Sequence, residues 1–89
     1  MAVYNVKRYV VTNLVETRDS APYIKFCSIR DNKEQAKELL KSIVEDETFC
    51  LKEAEMEFKV ENVNENETRV EESYGEYIAT IQIHSVFYR

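Results

Sequence analysis

The side chains with the most chemical reach in this chain are one histidine, His84, two cysteines, Cys27 and Cys50, and a dense set of glutamates. His84 sits in an apolar, β-branched run with no acid placed locally to orient it. It therefore reads as a surface or interface histidine rather than a general base. The cysteines form no C-x-x-C pair and read as small hydrophobes, not as a disulfide framework. One histidine and two isolated cysteines do not complete a zinc shell. No glycine-rich phosphate loop, H-E-x-x-H helix or nucleophile elbow occurs. Carboxylates abound, yet none lies in the apolar context that lifts a carboxyl pKa. These residues point away from catalysis, and no metal or cofactor is expected.

The glutamates carry a different signal. The net charge of −5 is unevenly spread: residues 1–44 hold eight Lys/Arg against five Asp/Glu, whereas residues 45–76 hold three against twelve. A nucleic-acid backbone is repelled by the second region, even though Tyr4, Tyr9 and Tyr23 among the early lysines and arginines offer stacking surfaces. Nucleic acid is thus a disfavoured partner and a basic protein surface a favoured one. Within 52–63, Glu53, Glu55, Glu57 and Glu61 alternate with Ala54, Met56, Phe58 and Val60. On a strand this sets the carboxylates in a row, neighbours about 6–7 Å apart, suited to a basic groove. Such a row also protects a sheet edge by like-charge repulsion.

Eighty-nine residues with 44% hydrophobic and 11% aromatic content predict one folded domain over 1–89. No apolar stretch approaches the length of a bilayer span, and the N-terminal residues read as a strand rather than a signal peptide, so a cytoplasmic protein is expected. Long β-branched runs at 3–15 and 77–88 bracket the chain. Turn residues at 17–22, Pro22 among them, separate the first run from a short strand at 23–29, giving a hairpin. Asp31 with Glu34 predicts a helix N-cap, and the stripe Ala36, Leu39, Leu40, Ile43 predicts the helix. Its end is expected near 45–47, where clustered acids oppose the dipole. The alternation over 52–63 gives a third strand, followed by a turn at 64–67. A fourth begins at Thr68 and passes through a bulge or kink at Gly75 into the last run.

This element order, ββαββ, resembles the hairpin–helix–hairpin of the small bacterial immunoglobulin-binding domains and the wider β-grasp group. The resemblance implies an α+β fold: a four-stranded mixed sheet of order 2-1-4-3, with one helix packed on one face. The first and last strands then lie side by side at the centre.

Lengths raise a further expectation. A fifteen-residue helix is about 22 Å long, and a twelve-residue strand about 40 Å. The sheet outreaches its cover unless the loop carrying Phe49 and Leu51 folds across it. On the last strand, Tyr77, Ala79, Ile81, Ile83, Ser85 and Phe87 form the expected core face. The opposite face, Ile78, Thr80, Gln82, His84, Val86 and Tyr88, is only half polar, whereas a solvent-facing sheet alternates more cleanly. The expected contact residues are Glu53, Glu55, Glu57 and Glu61 on the acidic strand, and Ile78, His84, Val86 and Tyr88 on the apolar face. A homodimer or another protein would cover them.

The functional expectation is a non-catalytic protein-binding module. In size, acidity and lack of a catalytic motif, the chain resembles the small inhibitors carried by bacteriophages and mobile elements, such as anti-CRISPR and other counter-defence proteins. That resemblance implies stoichiometric occlusion of a host protein with a basic surface. The alternative is a small structural or assembly protein acting as a homo-oligomer.

Overall fold

Alternation of Val11, Asn13 and Val15 on one strand with Ala79, Ile81 and Ile83 on another builds the central seam of the protein. The two strands, β1 (Val6–Thr17) and β5 (Tyr77–Tyr88), pair antiparallel from Val6↔Tyr88 to Thr17↔Tyr77. The computed structural model describes residues 6–88. Between β1 and β5 come β2 (Ser20–Arg30), α1 (Lys33–Glu53), β3 (Phe58–Asn64) and β4 (Glu67–Glu72). All five strands join one sheet of order β2-β1-β5-β4-β3, with every neighbouring pair antiparallel. The helix connects the two sheet edges, from β2 to β3, across a single face. There Ala36, Ile43 and Leu51 are buried against Val11, Val15, Val70, Ala79, Ile81 and Ile83.

Five strands, not four, make the sheet, and it is antiparallel, not mixed. The difference lies at Gly75. Instead of kinking one continuous strand, Gly75 adopts φ +72° in the turn 73–76 and sends the chain back on itself. The segment expected as a short arm is β4, which pairs with β5 through Val70↔Ala79 and Thr68↔Ile81. Burial of Thr68, Val70 and Glu72 on the helix side gives β4 its own alternation, which a bulged extension of β5 would not satisfy. The extra reversal also makes β1 and β5 antiparallel. The likeness to the β-grasp group therefore does not hold.

The helix is longer than expected. It starts one residue late, because Asn32 rather than Asp31 accepts the N–H of Gln35 at 2.9 Å; Asp31 instead pairs with Arg8 at 3.1 Å. It then runs past the acids at 45–47 for two further turns. Burial of Glu47 and Leu51 on the core stripe sustains them, and Lys52 complements the terminal dipole. Phe49 and Leu51 are thus helical; Leu51 is buried and Phe49 exposed. Twenty-one residues span about 31 Å, so the β1–β5 ribbon still projects beyond the helix. On that projection the Lys7 ammonium lies over the rings of Tyr9 and Phe87, at 5.4 and 5.7 Å.

The extended helix consumes the start of the predicted acidic strand. Glu53 is its last residue, and a Schellman closure follows: Glu55 N–H donates to Lys52 O at 3.0 Å and Met56 N–H to Leu51 O at 3.0 Å. Glu55 takes the left-handed position of that closure, at φ +57°. Only residues from Phe58 onward are strand, so the carboxylate row along 53–61 does not form. At the other end, β1 and β2 meet through a two-residue turn, Arg18-Asp19, and β2 begins at Ser20. Pro22 consequently lies inside β2, a place an edge strand permits.

Candidate interaction surface

The sheet has one covered face and one open face. Cross-strand partners share a face, so the register assigns every side chain once the helix side is known. Val10 and Leu14 of β1, Ile24, Cys27 and Ile29 of β2, and Ile78, His84 and Val86 of β5 belong to the open face. Of the expected contact residues, the structure brings Ile78, His84 and Val86 together there with Glu61 of β3. Glu53 closes the helix, while Glu55 and Glu57 lie in the connection to β3, where the Glu57 carbonyl accepts the Ser73 N–H at 2.8 Å. The side chain of Tyr88 lies outside the described residues.

The open face divides into two zones. Over β2, β1 and β5 it mixes Val10, Leu14, Ile24, Ile29, Ile78 and Val86 with Arg8, Thr12, Glu16, Thr80, Gln82 and His84; the Thr12 hydroxyl is 3.1 Å from His84 Nε2. Over β4 and β3 it is charged with both signs: Lys59 pairs with Glu71 at 3.6 Å, Arg69 lies opposite Glu61, and Gln82 donates to Glu67. Of those three acids, Glu71 and Glu61 face a base and Glu67 an amide. Elsewhere Arg8, Arg18, Lys25 and Lys33 each pair with a carboxylate.

The covered face contains a buried ionic cluster that the sequence did not flag. Glu47, only 3% exposed, points from α1 into the sheet. Its Oε1 accepts from Asn13 Nδ2 and from Lys25 Nζ, both at 2.8 Å, and its Oε2 accepts from the Tyr77 hydroxyl at 2.7 Å. Lys25 gets there by a β-bulge: Asn13 pairs with Phe26 and Leu14 with Ile24, leaving Lys25 as the extra residue. Without the bulge, strict alternation would set Lys25 on the open face, opposite to Phe26. Burial pushes the Glu47 carboxyl up, but the hydrogen bonds from Lys25, Tyr77 and Asn13 outweigh it and hold the group below its ordinary value. The same contact raises the Lys25 ammonium well above its ordinary value. Burial, followed by the bond to Glu47, pushes the Tyr77 phenol up to about 12.

A cavity of about 230 Å³ lies beside this cluster, between α1 and β2, with Phe26, Leu39, Ile43 and Cys50 among its lining residues. Chemically the cluster is an anchor, not a reaction centre. Both oxygens of Glu47 are occupied, and a carboxylate held at low pKa is a weak base. Turning the Asn13 amide donor toward Glu47 leaves its Oδ1 without a protein donor among the described residues. Both cysteines are free. Cys27 is the register partner of Thr12 on the open face, two strands and about 10 Å from His84. Cys50 lines the cavity on the opposite side. Neither cysteine forms a dyad with the histidine.

Among the described residues no three His, Cys, Asp or Glu side chains gather as a metal would require. No helix among them is long and apolar enough to cross a membrane. No family model, curated protein or solved structure matches this chain.

Proposed function

We propose that this protein is a non-catalytic binding module that covers a surface of another protein with the open face of its sheet. The observation that carries the reading is the one-sided cover: a single helix closes one face, while the other carries Val10, Leu14, Ile24, Ile78 and Val86, interspersed with Thr12, Thr80, Gln82 and His84, beside a mixed-sign charged zone. The aliphatic side chains would supply the desolvated centre of an interface and the charged zone its orientation. Glu53, Glu55 and Glu57, at the helix end and the following connection, add a negative rim favouring a partner with basic character. Action is by occupancy: one copy masks one partner surface, the mode of the small phage-borne inhibitors that the chain resembles in size and acidity. A second reading is self-association as a small assembly protein, favoured by the exposed apolar strand β2.

Photo-cross-linking tests the first reading. Probes at Ile78 and at Val86 should capture one and the same protein at one-to-one stoichiometry, while a probe at Lys41 on the outer helix surface should not. Ile78→Lys should abolish that capture with the fold retained. Capture that ignores the face, or survives Ile78→Lys, would count against it.

A further inference from the structure

We infer that the cavity between α1 and β2 is a binding site for a small organic ammonium ion with an aromatic body. Its construction follows from the helix and the bulged strand. Ser42, Asp46 and Cys50, at steps of four along α1, are exposed and form the mouth. Leu39 and Ile43 of the neighbouring stripe make one wall, and Phe26 of β2 the other. Asn13 and Glu47, both buried, close the inner end, with Lys25 beside them.

Size and lining suit a single ring. A cavity of about 150 Å³ holds benzene, so one of about 230 Å³ takes a ring with a short arm. Phe26 is 39% exposed, a large value for a ring on the helix side, and Leu39 is only half-buried. The two walls therefore do not close on each other. A ring between them would remove that apolar surface from water.

The polar lining sets the charge of the ligand. The charged side chains around the cavity are Lys25, Asp46 and Glu47, which sum to −1. Lys25 and Glu47 are committed to each other at 2.8 Å. Lys25 also donates to the Tyr77 hydroxyl at 3.3 Å, and Glu47 accepts on both oxygens. What remains is short of donors. Among the described residues Asp46 has no oppositely charged partner, and the buried Asn13 Oδ1 has no protein donor. An ammonium group meets Asp46 at the mouth without competition. An anion would have to draw Lys25 away from Glu47, leaving a buried carboxylate uncompensated.

Benzylamine is the probe, with benzyl alcohol and phenylacetate as neutral and anionic counterparts of similar shape. In nitrogen–proton correlation spectra of the full chain, benzylamine should shift the amides of Phe26, Leu39, Ile43 and Asp46 saturably, with a dissociation constant on the order of 1 mM. Benzyl alcohol should bind about tenfold more weakly, and phenylacetate not measurably. Asp46→Asn should weaken benzylamine about tenfold and leave benzyl alcohol unchanged. Cys50→Phe and Ser42→Phe, which fill the mouth from exposed positions, should each abolish binding with an unchanged circular dichroism spectrum. Bound benzylamine should slow alkylation of Cys50 and not of Cys27, which lies on the open face. Ile78→Lys should leave benzylamine binding intact, because the cavity opens on the helix side. No saturable shift overturns the inference, as does binding that ignores Asp46→Asn or survives both mouth variants. Equal binding of the three probes overturns it in favour of an apolar cavity without charge selection, and a preference for phenylacetate overturns it in favour of an anion site at Lys25.

Discussion

Lys25 Nζ reaches Glu47 Oε1 at 2.8 Å because one extra residue in β2 turns the lysine to the helix side. This contact ties an edge strand to the helix across the sheet's covered face. Glu47 is buried, while the lysine side chain remains 44% exposed. Lys25→Met should therefore cost less than breaking a fully buried pair, about 1–3 kcal/mol after allowing for solvent screening. Chemical denaturation followed by circular dichroism measures it, and a loss too small to resolve would show that water replaces the ammonium.

The same cluster sets the response to pH. The Glu47 carboxyl lies below its ordinary value of 4.5 in the folded protein, so its contribution is complete above 4.5 and is lost as pH falls through the lowered value. Tyr77 works in the opposite direction. Its phenol is raised from 10.0 to about 12, so stability holds below 10.0 and declines as pH climbs toward 12. Stability curves should bend at both ends. Glu47→Gln should flatten the acid limb, and Tyr77→Phe should remove the late step from the phenolate absorbance titration.

Two residues with positive φ should respond in opposite ways to exchange with glycine or alanine. Glu55 closes the helix at φ +57°, a position natural to glycine, so Glu55→Gly should stabilise the protein by about 0.5–1 kcal/mol. Gly75 has φ +72° and open space where a side chain would go, so Gly75→Ala should cost about 1 kcal/mol through backbone conformation alone. Thermal unfolding of the pair reads both signs.

Glu72 should prove to be the clasp of the β4–β5 hairpin. Its buried carboxylate accepts the N–H groups of Tyr74 at 2.8 Å and Glu76 at 3.1 Å. Glutamine offers one acceptor where two are used and turns an N–H₂ toward the second donor. Glu72→Gln should destabilise by about 1–2 kcal/mol and speed hydrogen exchange at the Tyr74 and Glu76 amides before the rest of the sheet.

Periodicity revealed the faces of the central strands. Ala79, Ile81 and Ile83 are buried and Ile78, Gln82 and Val86 only half-buried, as a period of two requires; Thr80, buried on the open face, and Phe87 and Ser85, expected in the core but exposed on the strand's projecting end, depart from it. The ionic cluster stayed hidden for two reasons. Glu47 stands in a run of acids that reads as a helix end, although its spacing from Ile43 and Leu51 places it on the apolar stripe. Lys25 reaches it only through a bulge, which depends on how β1 and β2 pair and leaves no mark in β2 itself. The identity of β4 was legible in part: Thr68, Val70 and Glu72 alternate. That the chain reverses at Gly75 depends on whether this short segment finds a partner, which local pattern does not state.

The pairing of β1 with β5 has a consequence for biosynthesis. A nascent chain leaving the ribosome carries β1 and its hairpin partner long before β5 has been made, so the seam on which the core is assembled is missing during most of translation. Until β5 emerges, Val11 and Val15 have no neighbour on that side, and completion of the sheet waits for this late, long-range closure.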